Sequence, residues 1–140
     1  LNRLLELGAL PVINENDTVA TDEIVIGDND TLAAMVAESV EANLLVLLSD
    51  IDGLYTADPH ADPTAKLLSV VHRVDDGIRA LAGVSSTDQG TGGMVTKLRA
   101  AEICLNCGCE MVIANGREPT LLYDIVEGKP VGTRFVGESV

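Results

Sequence analysis

Basic residues are scarce in this chain: nine Lys and Arg stand against twenty-two Asp and Glu, a formal net charge of −13 over 140 residues. A sequence-independent hold on a phosphate backbone gathers Lys and Arg, so nucleic acid is not an expected partner. Long apolar runs are lacking too. No stretch approaches the roughly eighteen residues of a membrane span, and no charged segment followed by an apolar one opens the chain. A cytoplasmic protein without a membrane partner is expected. Cysteine is limited to Cys104, Cys107 and Cys109. Their C-x-x-C-x-C spacing invites a metal reading, yet no fourth ligand lies near and Cys104 falls on the apolar side of a predicted helix, so small buried thiols in a reducing compartment are favoured. The two histidines, His60 and His72, sit apart in loop-like contexts, and neither has the setting of a catalytic base. A Walker A sequence, an internal repeat and a low-complexity segment are also absent.

What is present suits one domain with one core, since a chain of this length buries about two-thirds of its unfolded surface. It opens on Leu1-Asn2-Arg3 without Met, and Leu1, Leu4, Leu5 and Leu7 resemble the end of an amphipathic helix, so a piece of a longer protein is expected. Leu44 to Leu48 are apolar without alternation, which predicts a central strand covered on both faces of a parallel sheet. Ser49-Asp50 and Asp52-Gly53 follow it. Two oxygen-bearing side chains thus stand where a buried strand surfaces, the edge at which open α/β sheets bind ligands, although Asp and Gly also end strands as ordinary turns.

The remaining elements fall in order. A helix end over residues 1–7 is capped by Gly8, and Leu10 to Ile13 predict a short strand opening into Asn14-Glu15-Asn16-Asp17. Thr18 to Ile26 suggest a small hairpin. Asp28, Asn29 and Asp30 precede a helix over 31–42 whose Leu32, Val36 and Val40 recur at helical spacing. Asp30 has an ordinary N-capping job available, but capping does not account for three consecutive polar side chains, which together suit an ammonium group, a lysine to be oriented, or magnesium. Beyond a Pro-bearing surface loop over 56–66 come an edge strand at Leu67 to Val71, a helix from Asp75 to Ala82 and a polar loop over 83–90. Gly90-Thr91-Gly92-Gly93-Met94-Val95-Thr96-Lys97 then reads as a glycine-rich loop opening a helix, with Met94, Leu98, Ala101 and Leu105 on one face. Backbone N–H groups at a helix start hold phosphate and Lys97 adds a full positive charge, while glycine also marks ordinary turns. Gly108 closes that helix, Met111 to Ala114 form a second buried strand, a helix runs from Pro119 to about Glu127, and Val131 to Val136 form a last strand.

Taken together these blocks resemble the amino acid kinase family. Its general marks are Ser49-Asp50 with Asp52-Gly53-Leu54-Tyr55-Thr56-Ala57-Asp58-Pro59, and Thr91-Gly92-Gly93-Met94 with Lys97. Ile13-Asn14-Glu15-Asn16-Asp17 and Gly27-Asp28-Asn29-Asp30 resemble, more narrowly, the members that act on glutamate. The resemblance implies a three-layer αβα sandwich with a mainly parallel sheet, incomplete at its N-terminal side. Residues 1–43 would carry the glutamate site and 44–140 the nucleotide-binding portion of a single domain. It implies ATP-dependent transfer of phosphate, with magnesium, to the side-chain carboxylate of glutamate, the first step of proline synthesis. Asn14, Asp17, Asp28 and Asn29 would face glutamate, Asp30 would orient catalytic lysines, and Ser49, Asp50 and Thr91, Gly92, Gly93, Met94, Val95, Thr96 and Lys97 would hold the nucleotide. It further implies a homo-oligomer when full length, with proline as a feedback inhibitor, and little kinase activity for these 140 residues alone, because the family's first phosphate loop and a second lysine precede Leu1. Two other readings stay open: a family member acting on another small carboxylate such as acetylglutamate, and a non-catalytic amino-acid-sensing module.

Overall fold

Two of the apolar stretches lie side by side. In the computed structural model, which describes residues 1–14, 29–83 and 91–138, β1 (Leu44–Ser49) pairs in parallel with β3 (Glu110–Asn115), from Leu44 opposite Glu110 to Ser49 opposite Asn115. β4 (Thr133–Phe135) adds antiparallel to β3, and β2 (Val70–Val71) adds parallel to β4, giving the order β1-β3-β4-β2. Of the five described helices, α2 (Asn29–Ser39), α3 (Asp76–Gly83) and α4 (Thr91–Cys107) share the main core, α5 (Leu121–Val126) covers the opposite face, and α1 (Asn2–Glu6) has no buried residue.

The alternation along β3 shows the layering. Met111 and Ile113 pack with Leu47, Met94, Leu98 and Phe135, whereas Val112 and Ala114 pack with Ile125. Helices therefore lie on both faces of a mostly parallel sheet, the α/β sandwich that the sequence predicts. The fully covered interior strand is β3, however. β1 lies at an edge of the described sheet, with Leu48 46% exposed, so its unbroken apolar run does not make it central here.

Three further expectations are corrected. Residues 10–13 form no strand: Leu10 is 87% and Val12 91% exposed, because a strand needs a partner for its backbone groups and no described segment pairs with this one. On α2 the buried residues are Ala34 and Ala37, not Leu32, Val36 and Val40. Small side chains there let α2 lie close against Ala100 and Ala101 of α4, and close approach decides which face turns inward. Thr91 to Lys97 already belong to α4, so its glycines occupy the first helical turn and not a preceding loop. The predicted hairpin over 18–26 and the loop over 84–90 lie outside the described residues.

Helix ends follow one pattern. After α4, the Cys109 N–H donates to the Cys104 carbonyl at 2.9 Å and the Gly108 N–H to that of Leu105 at 3.3 Å, with Gly108 at φ 77°. This left-handed cap brings the side chains flanking it together, and here they are Cys104 and Cys109, both buried. The same cap ends α5 at Gly128, and it ends α2 at Glu41, a side-chain-bearing residue held at φ 54°.

Candidate functional site

β1 and β3 run parallel, so their C-terminal ends surface together, and a cleft of about 380 Å³ opens there. That is the size and the sheet edge expected of a small-molecule site in an α/β fold. Ser49 and Asp50 form one wall, the segment from Gly53 to His60 another, and Gly93, Met94 and Lys97 at the head of α4 a third, with Leu81 of α3 between.

The segment after β1 is held from behind by Thr133. Its buried hydroxyl accepts the Leu54 N–H at 2.8 Å and donates to the Leu68 carbonyl at 2.6 Å, fastening the cleft wall to β4. The fit leaves no room: a Cβ on Gly53, at φ 155°, would stand 2.5 Å from that oxygen. Farther along, Asp58 accepts the His60 N–H at 2.9 Å, and Asp62 accepts both the N–H and the hydroxyl of Thr64, local turns that fix an otherwise irregular loop.

Lys97 is placed by Asp30. Its Nζ lies 3.0 Å from Asp30 Oδ2, and the Thr96 hydroxyl donates to the same oxygen at 2.8 Å, joining the start of α2 to the first turns of α4. The two charged side chains are 12% and 20% exposed, enough burial to hold the pair in one geometry. An ammonium carries three donors, so this one keeps others for the cleft. Gly93 and Met94, from the first turn of this seventeen-residue helix, line the cleft with it, and nothing lies within 4 Å of where a Cβ on Gly93 would be. Helix start, lysine and open backbone together form a donor set for a phosphate.

Of the nucleotide residues expected from the sequence, Ser49, Asp50, Gly93, Met94 and Lys97 line the cleft. Thr91 and Gly92 begin α4, and Thr96 turns to Asp30. Val95 is apart from them, 47% exposed and lining a separate shallow groove with Arg79 and Glu102, because consecutive helical residues point in different directions. For the glutamate set, Asn29 opens α2 and Asn14 follows α1, both exposed, while Asp17 and Asp28 lie outside the described residues. Sequence reasoning missed Tyr55, Asp58 and His60 as cleft residues. Their signal was position: all follow directly on a strand end already marked as a ligand edge. Burial, with the hydrogen bond and charge of Asp52, pushes the Tyr55 phenol above its ordinary range.

Among the described residues no three His, Cys, Asp or Glu side chains converge as a metal site, and no helix is long and apolar enough to cross a membrane.

Comparison with known proteins places this architecture. The family model described as "Amino acid kinase family" matches residues 1–115. The glutamate 5-kinase of Herpetosiphon aurantiacus is 56% identical over 131 residues, covering 94% of this chain and 35% of that protein. That of Caldanaerobacter subterraneus subsp. tengcongensis is 54% identical over 136 residues, covering 97% and 37%. The chain thus spans little more than a third of the length of these curated relatives. Among solved structures, uridylate kinase from Archaeoglobus fulgidus superposes with a TM-score of 0.57 at 26% identity, over 76% of this chain and 46% of that one. Carbamate kinase from Giardia lamblia bound to AMP-PNP superposes at 0.60 with 23% identity, over 79% and 36%, a likeness of fold. With most of its length matched and its helices laid on both faces of the sheet, the chain belongs to the amino acid kinase family.

Proposed function

We propose that this chain is the C-terminal portion of a kinase domain that transfers phosphate from ATP to the side-chain carboxylate of L-glutamate, giving glutamyl 5-phosphate for proline synthesis. The observation that carries it is Lys97, held by Asp30 at the head of α4 on the rim of a cleft at the sheet's C-terminal edge. The glutamate 5-kinase relatives supply the substrate.

Phosphoryl transfer asks little covalent chemistry of a protein; it asks for alignment and for neutralisation of charge on the transferred group. Lys97 would meet the terminal phosphates, with the N–H groups of the first turn of α4 beside it. Asp30 would keep the ammonium aimed, while Ser49 and Asp50 line the nucleotide's bed. No general base is needed, since a glutamate carboxylate is already ionised at neutral pH. Asn14, Asp17, Asp28 and Asn29 would receive glutamate, the carboxylates taking its ammonium group. Magnesium, when bound with the nucleotide, would supply further positive charge at the transferred phosphate. Within the domain, residues 1–43 would serve glutamate and 44–140 the nucleotide. Oligomeric assembly and inhibition by proline would belong to the full-length protein.

The test is made on the full-length parent. With ATP and magnesium, glutamate should yield an acyl phosphate that hydroxylamine traps, and acetylglutamate, whose amine carries no charge for Asp17 and Asp28, should yield far less. Equal turnover of both would point to another acceptor. Binding of an amino acid with no nucleotide binding would point to a sensor.

A further inference from the structure

Asp52 stands three residues beyond β1 and takes no part in the chemistry above, yet its carboxylate is used at both oxygens. Oδ1 accepts the side-chain amide of Asn115 at 2.9 Å, and Oδ2 accepts the phenolic hydroxyl of Tyr55 at 3.1 Å. Asn115 is the last residue of β3, and its side-chain oxygen Oδ1 accepts the Arg117 N–H at 3.0 Å. That second bond fixes which end of the amide faces Asp52, because only the NH2 end can donate to a carboxylate. Tyr55 belongs to the cleft wall. Two donors, the Asn115 amide from the interior strand and the Tyr55 phenol from the cleft wall, therefore converge on the Asp52 carboxylate.

A phenol has one proton. With that proton given to Asp52, the Tyr55 oxygen offers the cleft only lone pairs and a ring, backed by a negative charge. Such a wall repels phosphate oxygens and accepts a donor or a planar, uncharged face. The cleft is thus polarised, with Lys97 and the α4 N-terminus at one wall and Tyr55 at another. We propose that Asp52 and Asn115 are positioning residues which hold Tyr55 in this state, so that the nucleotide enters in one orientation with its phosphates toward Lys97. The proposal rests on the reading of this cleft as the nucleotide site.

The full-length protein tests it through Asp52→Asn, Tyr55→Phe and the double variant. Asp52→Asn should raise the KM for ATP by about five- to tenfold, the scale of one ordinary hydrogen bond, while kcat stays within about twofold. Tyr55→Phe should do the same, and the double variant should be no worse than Tyr55→Phe alone, because Asp52 acts through the phenol. A difference absorbance titration against Tyr55→Phe isolates that phenol, which should ionise at lower pH once Asp52 is neutralised. If Asp52→Asn does not fold, Asn115→Ala removes the other anchor and should give the same selective rise in KM. An unchanged KM for ATP, or effects of the two single variants that simply add, would overturn the proposal. Calorimetry with ATP alone separates this from the kinase reading: loss of tight ATP binding in Asp52→Asn upholds the positioning role even if glutamate proves not to be the acceptor.

Discussion

Lys97 and Asp30, sixty-seven positions apart in the chain, meet at 3.0 Å across the heads of two packed helices. Their meeting fixes the geometry of the cleft's cation, and it gives the first prediction. Lys97→Met keeps an unbranched side chain out to the ε position and deletes the charged nitrogen. It should lower kcat of the full-length enzyme by about 100-fold or more, the scale of losing one preorganised group on a developing charge. Asp30 retains the Thr96 hydroxyl in that variant, so the fold should survive. Circular dichroism with steady-state kinetics checks both halves. A Lys97→Met enzyme at near-normal kcat would remove Lys97 from the mechanism.

How much of this was legible in the residues depends on the kind of signal. The strand over Leu44 to Leu48, the helix carrying Met94 to Leu105 and the strand over Met111 to Ala114 announce themselves through apolar residues bounded by turn residues, and the structure contains each of these elements. Which strand is interior was not legible, since β1 and β3 carry equally apolar cores and only pairing distinguishes them. The inward face of α2 misled for a related reason: hydrophobic spacing pointed to Leu32 and Val36, but close packing against α4 selected Ala34 and Ala37. In the cleft, charged and glycine-rich positions stood out. Tyr55 did not, because its role comes from Asp52 and Asn115, and the Asn115 contact spans sixty-three residues.

The cap of α2 gives a second prediction. Glu41 sits at φ 54° in the position where Gly108 and Gly128 end their helices, and a residue with a Cβ pays a steric cost there. Glu41→Gly removes that strain and at the same time lets the unfolded chain roam more widely, an opposing term. The net should be a gain of about 0.5 kcal/mol in stability, seen as a small rise in urea midpoint at unchanged slope. A clear loss would show that the Glu41 side chain contributes a contact worth more than its strain.

Thr133 carries a third. Its hydroxyl is fully buried and serves Leu54 and Leu68 at once, so Thr133→Val keeps the shape and orphans a donor and an acceptor. The cost should be about 2–4 kcal/mol, the sum of two unmet buried groups. Because Leu54 lies in the cleft wall, nucleotide affinity should fall along with the thermal midpoint. Thr133→Ser retains both bonds and should recover most of the affinity. A stable Thr133→Val protein with ordinary ATP binding would mean that the wall does not depend on this fastening.

The cysteines give a prediction in pH. Burial, helped by the neighbouring thiol of Cys109, pushes the Cys104 thiol up to about 12, and burial also raises Cys109. Raised values mean that the folded chain keeps protons the unfolded chain gives up. The contribution is fully present below the ordinary thiol range and disappears as pH climbs from there toward 12, because over that interval the unfolded state binds fewer protons. The decline attributable to Cys104 approaches about 1.4 kcal/mol per pH unit. Urea midpoints between pH 8 and 10.5 should therefore fall more steeply for the native protein than for Cys104→Ala, whose other titrating groups are the same. A thiol reagent adds an independent view at neutral pH. Exposed Cys107 should label in the folded state, with Cys104 and Cys109 reacting only on unfolding. Parallel pH profiles for the two proteins, or fast labelling of Cys104 in the folded state, would show that the cap of α4 leaves its sulfur in contact with water.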